Sequence, residues 1–356
     1  MPSLKEIKVR INSISSTLAI TSAMKMVAAA KLQKAQMAIQ NMLPYERRLY
    51  SMLVDLMGAM NISAAASEDG SVRGSGSAER GFDQSGDRLS LSNRHDLAGM
   101  DGAYSLMAQR EVRKVAIVAF ASNSSLCGAF NSNAIREATA VINEYRASGL
   151  GDADITVYSV GRKMAEAMKK LGFPSPADFT KMSDSPSYDA ASALAQELFD
   201  GFVSGRFDKV ELVYNHYKST SSQPTTRQTY LPLSLADATA DIQVGKITDS
   251  ASEPYADKVA EPVVRQNSPT TETPDLIVEP SKEELIATLL PKVVRLRVFT
   301  TLLDSTAAEH AARTVAMQLA TDNGNDLLQE LTLEYNKGRQ QKITSEILDI
   351  VGGSLQ

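Results

Sequence analysis

Between Leu4 and Met42 apolar residues return at alternating steps of three and four: Leu4, Ile7, Ile11, Ile14, Leu18, then Ala28, Leu32, Ala35, Ile39 and Met42. Such a heptad repeat gives one side of a helix a narrow apolar seam suited to pairing with a second helix. Carrying the register across the gap puts Thr21 and Lys25 on the seam, within ITSAMKMVAAAK. The seam is interrupted there, either as a local adjustment of a coiled coil or because a different partner meets the helix at that level. Pro44 is expected to kink the helix rather than end it, because YERRLYSMLVDLMGAM keeps helical composition to Gly58 or slightly beyond.

The far end of the chain repeats the pattern more weakly through Ile286, Leu289, Val293, Leu296, Leu303, Ala307, Met317, Leu328, Leu331 and Tyr335. From Ser281 to Val351 the only proline is Pro291, and a helix over that stretch extends roughly 100 Å. A compact domain is too small to enclose it, and a solitary amphipathic helix leaves its stripe in water. Antiparallel pairing of the terminal segments, 1–60 and 281–356, solves both problems and lays the chain ends along one rod.

Residues 105–235 have a different texture. RKVAIVAFAS (Arg113 to Ser122) reads as a strand, followed by the turn NSSLCGAFN and a helix from about Asn131 to Arg146. The strand ADITVYSVG leads into the helix RKMAEAMKKLG, a third helix from about Tyr188 to Val203 leads into the strand KVELVYNHYK, and TTRQTYLPLS adds an edge strand. This alternation predicts a small, mostly parallel Rossmann-like α/β sheet with helices on its faces. The fold class is therefore α/β: a long antiparallel coiled coil of the N- and C-terminal helices plus this foot domain. Two stretches fall outside that scheme. Residues 61–104 read as a flexible insertion, with seven of the 20 glycines between Gly70 and Gly102. Residues 236–280 read as a Pro/Ser/Thr-rich surface excursion containing Pro254, Pro262, Pro269, Pro274 and Pro280.

The 356 residues, 43% hydrophobic and 22% charged, provide enough apolar mass for a sizeable core. A net charge of −5 argues against a dedicated nucleic-acid binder. Locally the balance reverses: up to Met42, Lys5, Lys8, Arg10, Lys25, Lys31 and Lys34 face one acid, Glu6. With no aromatic residue there to stack on bases, an acidic protein partner fits this basic helix better than nucleic acid does. No stretch approaches a membrane span, and the start MPSLKEIKVR runs into the helical pattern without a signal peptide. Cys127 is the only cysteine, which excludes an internal disulfide or a multi-thiolate metal site.

Catalytic equipment is not evident. Neither a GxxxxGK[ST] loop nor a GxGxxG loop occurs. Gly128 lies in a strand-to-helix turn where amides could approach an anion, although a tight connection is the plainer reading. His95, His216 and His310 show no metal-ligand spacing. Ser124 and Ser125 beside Cys127 lack a neighbouring base, so a buried structural thiol is expected. No cofactor, metal or catalytic residue is assigned.

ITSAMKMVAAAKLQKAQ near the start and AMQLATDNGNDLLQELTLEYNKGRQQKITSEILDIVGG near the end resemble the signature helices of the gamma subunit family of bacterial F-type ATP synthases. SLCGAFN resembles the family's LCGGLN or LCGGFN turn, with Ala129 in place of a glycine. The order of elements matches over the chain except the two insertions, about Asn61 to Tyr104 and Ala236 to Thr273. Ser22 and Lys25 depart from the family's usual Lys and Glu, and His310 from its usual glutamine.

The resemblance implies a paired-helix shaft through a ring of alpha and beta subunits, with a globular foot joined to the epsilon subunit and the membrane c ring. Catalysis is then on beta, and this chain is a non-catalytic rotor coupling ion flow to ATP synthesis or hydrolysis. It is expected on the cytoplasmic face of the bacterial inner membrane, peripherally bound. Met24 and Lys25 correspond to the N-terminal contact with the beta lever loop; Arg339, Gln340, Thr344 and Glu346 correspond to the C-terminal coupling cluster. In an antiparallel pair, these two segments are expected near each other. A static coiled-coil adaptor is the competing reading, and an enzyme with a cryptic dinucleotide pocket is a third.

Overall fold

The computed structural model describes residues 3–59, 106, 110–233, 279 and 281–353. The proposed insertions fall outside the described residues, apart from Glu279.

Two long helices frame the fold: α1 (Leu4–Ala59) and α6 (Lys282–Gly353). Both seams do the work expected of them. Ile7, Ala28, Leu32 and Ala35 on α1, and Ile286, Leu289, Val293, Leu296, Leu303, Ala307, Met317 and Leu331 on α6, are buried. Both helices run through their prolines, Pro44 and Pro291, without ending. At its start α1 is capped reciprocally: Ser3 N–H donates to Glu6 Oε2 at 3.0 Å and Glu6 N–H donates to Ser3 Oγ at 3.3 Å. This capping box satisfies two amides that have no partner within the helix.

The foot is built on strands β1 (Val115–Phe120), β2 (Ile155–Val160), β3 (Lys209–Asn215) and β4 (Thr225–Leu231). They lie in the order β2-β1-β3-β4, with β1 parallel to both neighbours and β4 antiparallel at one edge. Helices α2 (Phe130–Ala147), α3 (Arg162–Lys170) and α5 (Tyr188–Val203) were legible in the sequence; the short α4 (Thr180–Asp184) was not.

Successive residues of a strand point to opposite faces, and β1 serves two cores accordingly. Val115, Ile117 and Ala119 pack with Ala138, Val141 and Ile142 of α2 and Met164 and Met168 of α3. Ala116, Val118 and Phe120 pack with Leu194, Leu198 and Phe202 of α5 in a cluster that also holds Leu49, Leu53 and Leu56 of α1 and Ile286 to Leu302 of α6. The lower ends of both long helices are thus one wall of the foot's larger core. Glu211 on β3 is buried and takes hydrogen bonds from Tyr145 (2.5 Å) and Arg227 (2.6 Å), with Lys209 Nζ 2.7 Å away. Burial opposes ionisation of this carboxyl, but the bonds from Arg227, Lys209 and Tyr145 outweigh it and hold its pKa below the usual value.

Candidate functional site

Above the foot the two helices pair in antiparallel register. A Cβ on Gly324 would stand 2.6 Å from Leu18 Cδ2, and one on Gly338 would stand 3.0 Å from Leu4 Cδ2. Stepping two heptads up α1, from Leu4 to Leu18, therefore steps two heptads back along α6, and each glycine is a hole that admits a leucine knob. One turn further, Thr321 Oγ1 donates to Thr21 Oγ1 at 3.1 Å. The polar residue that interrupts the α1 seam meets a polar residue on α6, so the gap is filled by a cross-helix hydrogen bond. Lower still, Leu32 and Ala35 pack against Ala307 and Ala311, and Glu46 pairs with Arg297 at 3.2 Å.

This register places the candidate coupling residues. Met24 and Lys25 are half-buried, one turn below Thr21. Arg339, Gln340, Thr344 and Glu346 are exposed and lie beyond Gly338, where α1 has already begun at Leu4 and α6 continues alone. The expectation that the two groups lie near each other is therefore corrected: they stand about 30 Å apart along the rod, at 1.5 Å per residue. Local sequence could not reveal this, because two heptad seams can pair in any register seven residues apart. Within the upper group Thr344 bonds back to the Gln340 carbonyl at 2.9 Å, and Glu346 pairs with Lys342 at 3.8 Å. Around them Ile343, Ile347, Leu348, Ile350 and Val351 are exposed.

The second notable feature lies where β1 and β3 end. In an open α/β sheet, ligands bind in the crevice outside the carboxyl ends of the strands, where the strand order reverses. Here that space is taken by α6. Ala308 packs with Cys127 from the β1–α2 connection, with Phe130 at the start of α2 and with Tyr217 beyond β3. Asp304 accepts the Tyr217 N–H at 2.9 Å and is hydrogen-bonded to His216 Nδ1 at 2.6 Å. Arg313 donates to Ser124 Oγ at 2.7 Å. Gly128, at φ +58°, makes the tight turn and faces Ala316; a Cβ there would stand 3.8 Å from the alanine's. The turn is a seat for the helix, and the dinucleotide reading loses its pocket. Among the described residues no group of His, Cys, Asp or Glu could hold a metal ion, and no helix is long and apolar enough to cross a membrane.

Residues 3–355 match the family model described as ATP synthase. The ATP synthase gamma chain of Phocaeicola vulgatus is 47% identical over the full length of both chains. That of Bacteroides thetaiotaomicron is 45% identical over the same extent. The chain belongs to the ATP synthase gamma chain family. The fold is shared with a chain of the Euglena gracilis mitochondrial ATP synthase (OSCP, F1 and c-ring), at a TM-score of 0.52 and 20% identity, covering 99% of this chain and 93% of that one.

For this gamma-chain family member, the seat brings a charged group together that the sequence did not single out. Glu309 and Arg313 pair one turn apart at 2.7 Å, both largely buried. Burial pushes the Glu309 pKa up, against the pull of Arg313. His310 is pushed down to about 4, first by burial and then by the positive charges of Arg313 and Lys31. At neutral pH its imidazole is uncharged, which suits a residue beside two cations. The available signal was Asp304 itself, the one charge in the run from Val298 to Ala308.

Proposed function

We propose that this chain is the central-stalk rotor of an F-type ATP synthase, and that its own role is mechanical rather than catalytic. The observation that carries this reading is the rod itself: a helix pair rooted in the foot's core at one end and exposing a solitary, apolar-rich helix at the other. In this reading the foot turns with the c ring and contacts epsilon, while the upper rod turns inside the alpha–beta ring and drives the beta sites through binding, synthesis and release. The chain is then held peripherally at the cytoplasmic face of the bacterial inner membrane. Met24 and Lys25 at one level, and Arg339, Gln340, Thr344 and Glu346 about 30 Å higher, form two separate tiers of contact with beta. Modest polar contacts suit a rotor, since an exposed ion pair contributes only about 0–1 kcal/mol and can be exchanged as the shaft turns.

The test is affinity purification of the tagged chain from membranes, followed by turnover assays on the complex and on the isolated chain. The expected result is co-purification with alpha, beta, epsilon and the c ring, ATP hydrolysis by the complex, and neither hydrolysis nor tight nucleotide binding by the chain alone. Stoichiometric high-affinity nucleotide binding by the isolated chain overturns the non-catalytic assignment. Recovery without alpha and beta overturns the rotor and favours a static adaptor.

A further inference from the structure

The grip of the foot on the shaft changes character along its length. Below Leu302 it is chiefly apolar burial, which is non-directional and rewards area, pinned at two points where the Tyr230 hydroxyl donates to the Val294 carbonyl at 2.9 Å and Arg295 donates to Gln196 Oε1 at 2.6 Å. At the strand ends the contacts are directional. Asp304 on α6 takes the Tyr217 N–H and the His216 imidazole. The Tyr217 hydroxyl accepts from Gln36 Nε2 on α1 at 2.6 Å. From the other strand connection, Ser124 takes a hydrogen bond from Arg313. Such bonds weaken steeply as their angles open, so they oppose sideways slip. Two connections of the sheet thus hold both helices of the rod at its point of exit from the foot.

We infer that this ring of hydrogen bonds is a torque clasp, with Tyr217, Asp304 and Ser124 acting as positioning residues that pass rotation between foot and shaft. The Tyr217 segment is its centre, since it bonds to both helices: the backbone to α6 and the hydroxyl to α1. The clasp occupies the crevice where other sheets of this type hold a ligand, so a binding position has become a mechanical one. The inference rests on the rotor reading and deepens it.

The experiment uses membranes carrying the intact complex with Tyr217→Phe and Ser124→Ala combined, and separately with Asp304→Asn, which keeps one oxygen able to accept from Tyr217 N–H. Hydrolysis with the ion gradient collapsed by an ionophore reads the unloaded machine. ATP synthesis against a high ATP/ADP ratio reads it under load. The double variant is expected to keep parental abundance and unloaded hydrolysis while loaded synthesis falls about fivefold, the low end of the scale of two net hydrogen bonds; Asp304→Asn is expected to fall less. Parental synthesis in the double variant overturns the clasp, and so does an equal fall with and without load, which marks a merely structural role. Each change in the double variant removes a single hydroxyl oxygen, so it decides the matter even where Asp304→Asn assembles poorly. The rotor reading fails separately, by a parental chain that does not purify with alpha and beta.

Discussion

Both ends of α6 carry apolar side chains, and these meet opposite fates. From Ile286 to Leu302 the helix is sunk in the foot, with Ile286 and Leu290 fully buried. From Arg339 to Ile350 it extends past the start of α1 among the described residues, with Ile350 71% and Leu348 65% exposed. The difference lies in what the chain itself supplies as a partner. Below, α1, α5 and the sheet complete the core; above Gly338, α1 has run out. Apolar content locates a surface that wants covering, and only the fold says whether the cover is internal. An apolar stretch left open at the tip of a rod is consistent with a cover supplied by other subunits.

The sharpest way to break that contrast is to truncate one leucine below and one isoleucine above. Leu290→Ala is expected to cost about 2–5 kcal/mol, the usual range for a buried Leu→Ala change, seen as a lower melting temperature and reduced abundance. Ile350→Ala is expected to stay within about 0.5 kcal/mol while loosening retention of the chain in the complex. Equal melting shifts would erase the distinction. The ion pairs offer a second comparison. Glu46→Ala strips the carboxylate from the largely buried Arg297 and is expected to cost about 3 kcal/mol, whereas Glu346→Ala, breaking an exposed pair with Lys342, is expected to cost about 0–1 kcal/mol. Denaturant midpoints of the two variants in the same background decide it.

Acidification addresses the middle of the helix. The folded pKa of His310 is about 4 against an ordinary 6.5, so between those values the unfolded chain binds the proton that the folded chain refuses. Stability from this group is full above pH 6.5 and is lost as pH falls toward 4. Glu309, with its pKa raised, works in the opposite direction, so the comparison must hold it constant. His310→Gln is expected to lose less stability than the parent between pH 7 and pH 5 in thermal melts of the complex; parallel curves would show the imidazole to be irrelevant. The smallest effects are expected at the open end. Arg339→Ala alone lowers ATP-driven pumping only slightly, while replacing Arg339, Gln340, Thr344 and Glu346 together with Lys25 lowers pumping more than hydrolysis. With the two tiers about 30 Å apart, their losses should add nearly independently; strong non-additivity, or a wild-type ratio of pumping to hydrolysis, counts against two separate tiers.

Much of the architecture was legible because it rests on periodicity. The seams through Leu4 to Met42 and Ile286 to Tyr335 carry the pair of helices, and the strand-turn-helix alternation carries the sheet. What stayed hidden depends on long-range placement. The five residues of α4 are too short to show a helical period. The register of the rod was not readable from two heptad repeats, and that is why Lys25 and Arg339 were expected as neighbours. It is set by details such as Gly324 opposite Leu18 and Thr321 opposite Thr21, each unremarkable within its own segment. Likewise Asp304 was visible as an isolated charge, but only the folding of α6 across the strand ends shows that Tyr217 and His216 are its partners.

The pairing of Leu4 with Gly338 also imposes a timetable on biogenesis. The first helix to leave the ribosome must wait for almost the last one before its seam is covered. At about 5–20 residues per second that delay is roughly 20–70 seconds, during which Ile7, Ile11, Leu18 and Leu32 have no α6 to pack against. The last described strand of the foot ends at Leu231, long before the rod closes. Nascent chains are therefore expected to carry a sticky, unpaired N-terminal helix beside a foot whose larger core still awaits Ile286 to Leu302, and this is the interval in which a chaperone or an early-assembling subunit would have the most to hold.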